Sequence, residues 1–187
     1  MPAGFDTGNG VEPGVVRRVI DSPKDPAMVA ARAAGLQVME GRYTVFKYHG
    51  DVSPGNLYEI VETAPNLFLT AGINQVLLLA VGQAATAYSG SNARLCVGDG
   101  TTAATAADTD LVGTNKFRQL VSGAPSVTTN QVLFSATFGT SVANFDWREV
   151  GVANAAAAGQ MWSRTVINLG TKVSSASWVL NWTLAIN

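Results

Sequence analysis

Alternation of apolar and polar positions is plainest at the end of the chain, where Trp178, Leu180, Trp182, Leu184 and Ile186 fall on one face. A period of two is the mark of a strand with one buried face. Ahead of it, β-prone runs recur at Ala93 to Val97, Lys116 to Val121, Val132 to Phe138, Phe145 to Val152 and Met161 to Leu169. Gly, Asn, Ser or Thr interrupt the chain about every ten residues from Gln83 onward. Strands so spaced, without full helices between them, predict a mainly β fold, an antiparallel sandwich or jelly roll.

The first half is more mixed. Tyr43, Val45 and Lys47 alternate with Thr44, Phe46 and Tyr48, and a turn at 49–56 leads into Leu57 to Val61, which predicts a hairpin. At Thr70 the period changes: Ile73, Val76, Leu77 and Ala80 stand at helical spacing, with Thr70 as cap and Gly82 as stop. A core-facing helix over 70–81 follows. Asp25 and Pro26 read as an N-cap and first helical position, Ala27 to Ala34 as good helix formers and Gly35 as the stop, so a short helix is expected near 26–34. Residues 1–14 are rich in turn formers and poor in apolar side chains, hence expected to be flexible until something orders them. The chain thus divides into an extended arm at 1–35 and a sandwich domain at 36–187.

Composition narrows the function classes. Of 187 residues, 47% are apolar, enough for a real core, but only 13% are charged, about half the usual share. Twelve Lys and Arg nearly cancel thirteen Asp and Glu, which leaves no basic field for nucleic acid. The single cysteine, Cys96, excludes an internal disulfide and a cysteine metal cage, and it suits a reducing cytosol. No secretory signal pattern opens the chain, and the longest apolar run, Val76 to Val81, is far too short to span a bilayer. Neither secretion nor membrane insertion is expected.

Candidate chemistry is sparse. A Ser or Cys nucleophile needs a base, usually histidine, and the only histidine, His49, lies in a polar turn remote in sequence from Cys96. Cys96 itself, within Arg94 to Val97, reads as a small buried hydrophobe. Gly98 to Thr102 is glycine-rich but lacks the lysine and following helix of a phosphate loop. Asp99, Asp108 and Asp110 offer hard oxygen ligands without the spacing of a calcium loop. Glu149 is a charge within a β-rich run, readable as an acid paired with Asp146 or as an ion pair with Arg148 or Arg164. Trp147, Trp162, Trp178 and Trp182 could stack sugars, yet their strand-like placement favours burial. No catalytic, cofactor-binding or metal-binding residue is therefore assigned, and no cofactor is expected.

From Asn66 to Asn187 the chain resembles a family of tailed-bacteriophage virion proteins. The resemblance rests on Asn66-Leu67-Phe68-Leu69-Thr70-Ala71-Gly72-Ile73-Asn74, on Val97-Gly98-Asp99-Gly100-Thr101-Thr102-Ala103 and on Asp108-Thr109-Asp110-Leu111. Phe134 to Phe138, Ala143 to Val152 and the tryptophan-rich terminal strand complete it. Such proteins serve as capsid decoration or cement, head fibres, or tail-fibre and collar modules. The resemblance implies a non-enzymatic virion component that binds copies of itself and the major capsid protein. A loose arm on a compact domain favours capsid cement, with a trimer or other cyclic oligomer. Within the arm, Val15, Val16, Arg17, Arg18, Val19 and Ile20 are the expected partner-binding residues, able to add a strand to a neighbour's sheet edge. The alternative is a tail-associated module that holds a cell-surface glycan through exposed Trp, Tyr and Asn.

Overall fold

A computed structural model describes residues 14–20, 26–63 and 65–186. In chain order its elements are β1 (Val16–Ile20), α1 (Pro26–Ala33), β2 (Met39–His49), a single 3₁₀ turn (Pro54–Asn56), β3 (Leu57–Thr63) and β4 (Leu67–Phe68). There follow α2 (Thr70–Ala80), β5 (Arg94–Gly98), β6 (Lys116–Leu120), β7 (Ser126–Thr128), β8 (Gln131–Phe138), β9 (Asp146–Ala153), β10 (Met161–Thr171) and β11 (Ala176–Ile186). Residues 1–13, and Asp25 as the expected cap of the first helix, lie outside the described set.

Two sheets form a β-sandwich, one ordered β1-β3-β2-β11-β8-β7 and the other β4-β10-β9-β5-β6. Neighbours are antiparallel except β1 and β3, which run parallel. The expected hairpin is β2 with β3, and the terminal strand is central, paired along its whole length with β2. Hydrogen bonding also crosses residue 35, since β1 is the sixth strand of the first sheet.

Alternation sets the core. Tyr43, Val45, Val61, Phe134, Phe138, Trp178, Leu180 and Trp182 face Leu95, Val97, Trp147, Val150, Val152, Trp162 and Leu169 across the sandwich. Ring edges lock the sheets together: Trp147 meets Trp178 at 4.8 Å and Trp162 meets Trp182 at 5.1 Å, both near perpendicular. Edge-to-face geometry brings the positive rim of one ring to the negative face of the next, adding about 0.5–1.5 kcal/mol per pair beyond burial.

The outer face of the second sheet carries a further layer. Leu69, Cys96, Leu111, Ala153 and Met161 form a satellite cluster beneath the irregular segment 99–115. α2 packs there too, but only in part on the face that its spacing predicts: Val76 packs against the core, whereas Ile73 and Leu77 are 38% and 59% exposed. Gly72 is the buried position instead, and a Cβ there would collide with the backbone of Trp162. With seven apolar residues among eleven, periodicity cannot choose a face, and close approach at a glycine does. Thr70 is likewise not the cap but the first helical residue. Leu69 holds the cap position because its side chain is buried in the satellite cluster, while the Thr70 N–H donates to the Ala106 carbonyl at 2.9 Å.

Candidate functional site

Two features concentrate the polar chemistry: a closed clasp on the second sheet, and the strand edge where β1 lies on the first. The clasp starts from β9 and β10, whose antiparallel register sets Glu149 opposite Val166 and Arg164 opposite Gly151. Both charged side chains point away from the main core and are fully buried. Arg164 Nε donates to Glu149 Oε2 at 2.7 Å, Nη1 to Asp108 Oδ2 at 2.6 Å and Nη2 to the Thr102 carbonyl at 2.9 Å. Glu149 also accepts from the N–H groups of Val112 at 3.2 Å and Gly113 at 2.7 Å. Gly98 and Gly100 close over it: a Cβ on either would sit 2.5 Å from Glu149 Oε1.

This arrangement resolves the Glu149 alternatives in favour of the ion pair with Arg164. Asp146 is engaged elsewhere, accepting from the Thr171 hydroxyl and from Arg148. With both oxygens bonded and no exposed surface, Glu149 acts as the pin that fastens segment 99–113 to the sheet. The glycine-rich Gly98 to Thr102 is the strand-ending turn of that same pin, its glycines required by close approach to a carboxylate.

The three aspartates considered for calcium diverge. Asp99 accepts from Asn115, which holds it below the usual carboxylate range. Burial lifts Asp108, but hydrogen bonds from Thr105 and Arg164 outweigh it and leave it low. Asp110 is likewise lifted by burial and brought down further by Arg118, at 2.7 Å, and the Leu111 N–H. Among the described residues, no group of three or more His, Cys, Asp or Glu side chains is placed to hold a metal.

His49 and Cys96 belong to different sheets. His49 is exposed and stacks on Tyr58 with ring centres 4.3 Å apart, whereas Cys96 is fully buried, its thiol pushed up to about 12 by that burial. All four tryptophans are core residues, none more than 7% exposed. Neither described helix is long and apolar enough to cross a membrane.

The sequence reading missed two buried lysines. Lys47 continues the inward series of Tyr43 and Val45, and its ammonium donates to Glu59 at 2.7 Å and the Leu169 carbonyl at 2.6 Å while lying 4.3 Å from the Trp178 ring centre. Burial pulls its pKa down, opposed by Glu59. Lys172, pulled down to about 8 by burial, ties Gly139 O, Val142 O and Asn144 Oδ1 together. Strand alternation flags Lys47 as inward; nothing local marks Lys172. An open cleft of about 620 Å³ lies beside the clasp, lined by Asp99, Thr101, Asn115, Phe145, Asp146 and Arg148.

Of the expected arm residues, Val15 is half-buried and Val16–Ile20 form β1. β1 lies on the open edge of β3 in parallel register, Val16 opposite Glu59 through Ile20 opposite Thr63. Two ion pairs flank the backbone ladder, Arg17 with Glu62 at 2.6 Å and Arg18 with Glu59 at 3.3 Å. Only Ile20 packs against the core; the other four side chains are exposed, Val16 at 60% and Val19 at 58%. Compared with family models, curated proteins and solved structures, the chain matches none of them.

Proposed function

We propose that this chain is a non-enzymatic structural protein of a tailed-phage particle, a decoration protein that seats on the capsid lattice and stabilises the head. The observation that carries this reading is β1: a short N-terminal strand held on a sheet edge by main-chain bonds and exposed ion pairs, with nearly all its side chains outside the core. A strand attached in this way can bind an edge without a preformed pocket. The clasp agrees with a structural role. Residues that carry the virion-protein resemblance, among them Gly98, Gly100, Asp108 and Glu149, are spent on closing the fold.

Deleting residues 1–20 tests the proposal through co-sedimentation with capsids lacking the protein. The full chain pellets with them, and the truncated chain loses at least tenfold in affinity, about 1.4 kcal/mol. Equal pelleting of both chains rejects attachment through the arm.

The cleft favours a second reading, a tail-associated module for a glycan, because it sets carboxylates, an amide, a hydroxyl and an arginine beside the Phe145 ring. Planar polar groups with one aromatic face suit a sugar. The buried tryptophans take no part in it.

A further inference from the structure

We infer that the β3 edge is a strand acceptor that, in the assembled protein, holds β1 from a second copy of this chain. The inference rests on the decoration reading and names the partner of the same edge. It starts from how β1 is held. Among the described residues β3 is its sole sheet neighbour and its other edge is unpaired, while β3 keeps its antiparallel partner β2 whether or not β1 is present. β1 can therefore leave without opening the sandwich.

The acceptor is matched in charge to this strand chiefly at Glu62, since Glu59 already accepts from the buried Lys47 of its own chain. Arg17 on β1 meets Glu62 at 2.6 Å, and Arg18 adds a longer contact of 3.3 Å to Glu59, so the arm's adjacent arginines suit the acidic edge of β3. Every copy carries the same arm and the same edge. Exchange between copies thus replaces each contact with an identical one, and only connection and local concentration separate the two arrangements. Traded strands tie subunits together with no new surface. The exposed valines of β1 stay outside the core in either arrangement.

Register-specific cross-linking tests this in the full-length protein. Val19 lies opposite Glu62, and neighbouring strands sit about 4.7–4.9 Å apart, within the roughly 4.4–6.8 Å Cα separation that a disulfide spans. Val16 pairs with Glu59 instead, about 10 Å along the strand from that point. One set of chains carries Val19→Cys and a differently tagged set carries Glu62→Cys; the two are coexpressed, allowed to assemble and mildly oxidised. Both positions are at the surface, and the buried Cys96 stays silent.

Exchange predicts a disulfide-linked heterodimer of the two tags, several times more abundant than that from a Val16→Cys and Glu62→Cys mixture. The inference is overturned if the mixed Val19→Cys and Glu62→Cys chains give no such excess while a chain carrying both changes closes its disulfide internally. Pelleting of the full chain with capsids reads the decoration proposal separately, so either can fail alone.

Discussion

At Glu149 and Arg164, two full charges share a site with no solvent exposure. Withdrawing such ions from water is expensive, and the pair persists because every lobe is bonded: Arg164 to a second carboxylate and a carbonyl, Glu149 to two backbone N–H groups. Glu149→Ala leaves a buried guanidinium without its main counter-charge and frees two N–H groups, which costs about 3–5 kcal/mol. Urea unfolding measures it, and a change under about 1 kcal/mol would contradict the role assigned to the pin. The sequence allowed this pairing as one of several; it did not rank Arg164 above Arg148, because cross-strand register decides and register is not local. The surrounding segment 99–115 has no period to read. Its order comes from side chains reaching into it from β9 and β10.

Element by element, strand-period patterning was legible and pairing was not. β11 with its inward Trp178, Leu180, Trp182 and Leu184 could be read directly, as could the runs that became β5, β6, β8, β9 and β10. The placement of β1 could not, since a parallel partner forty residues away leaves only a hint in the Arg and Glu pairs. α2 shows a different mismatch, an over-rich apolar pattern of which Val76 reaches the core while the closest backbone approach is at a glycine. These facts bear on the arm truncation. Exposed ion pairs contribute about 0–1 kcal/mol each, Ile20 is only partly buried, and an unattached strand no longer has to be ordered. Removing residues 1–20 should lower stability by no more than about 1–2 kcal/mol with the β-sheet circular dichroism retained. A truncated chain that unfolds cooperatively several kcal/mol earlier would make β1 a structural strand and not an arm.

For the whole molecule, a mainly β sandwich is held closed in part by polar side chains that fasten its loops. Acid should be its weak point. Asp99, Asp108, Asp110 and Asp146 are all held below their ordinary pKa, Asp146 by Thr171 and then Arg148. A depressed folded pKa means that the unfolded chain takes up protons first as pH falls, so the stability from these groups is present above about pH 4 and is lost below it. Denaturant midpoints should therefore be flat from neutrality down to about pH 4 and drop beneath, with a shallower drop in Asp108→Asn. A loss that begins near pH 6 would point away from the aspartates.

Imaging the intact particle at a resolution that shows strands decides whether the proposed virion protein sits on the head. The expected image is the two-sheet sandwich repeated at symmetry-related points of the capsid surface, with its N-terminal strand on a neighbouring copy. A particle that lacks the chain, or that carries it only at the tail, would contradict it.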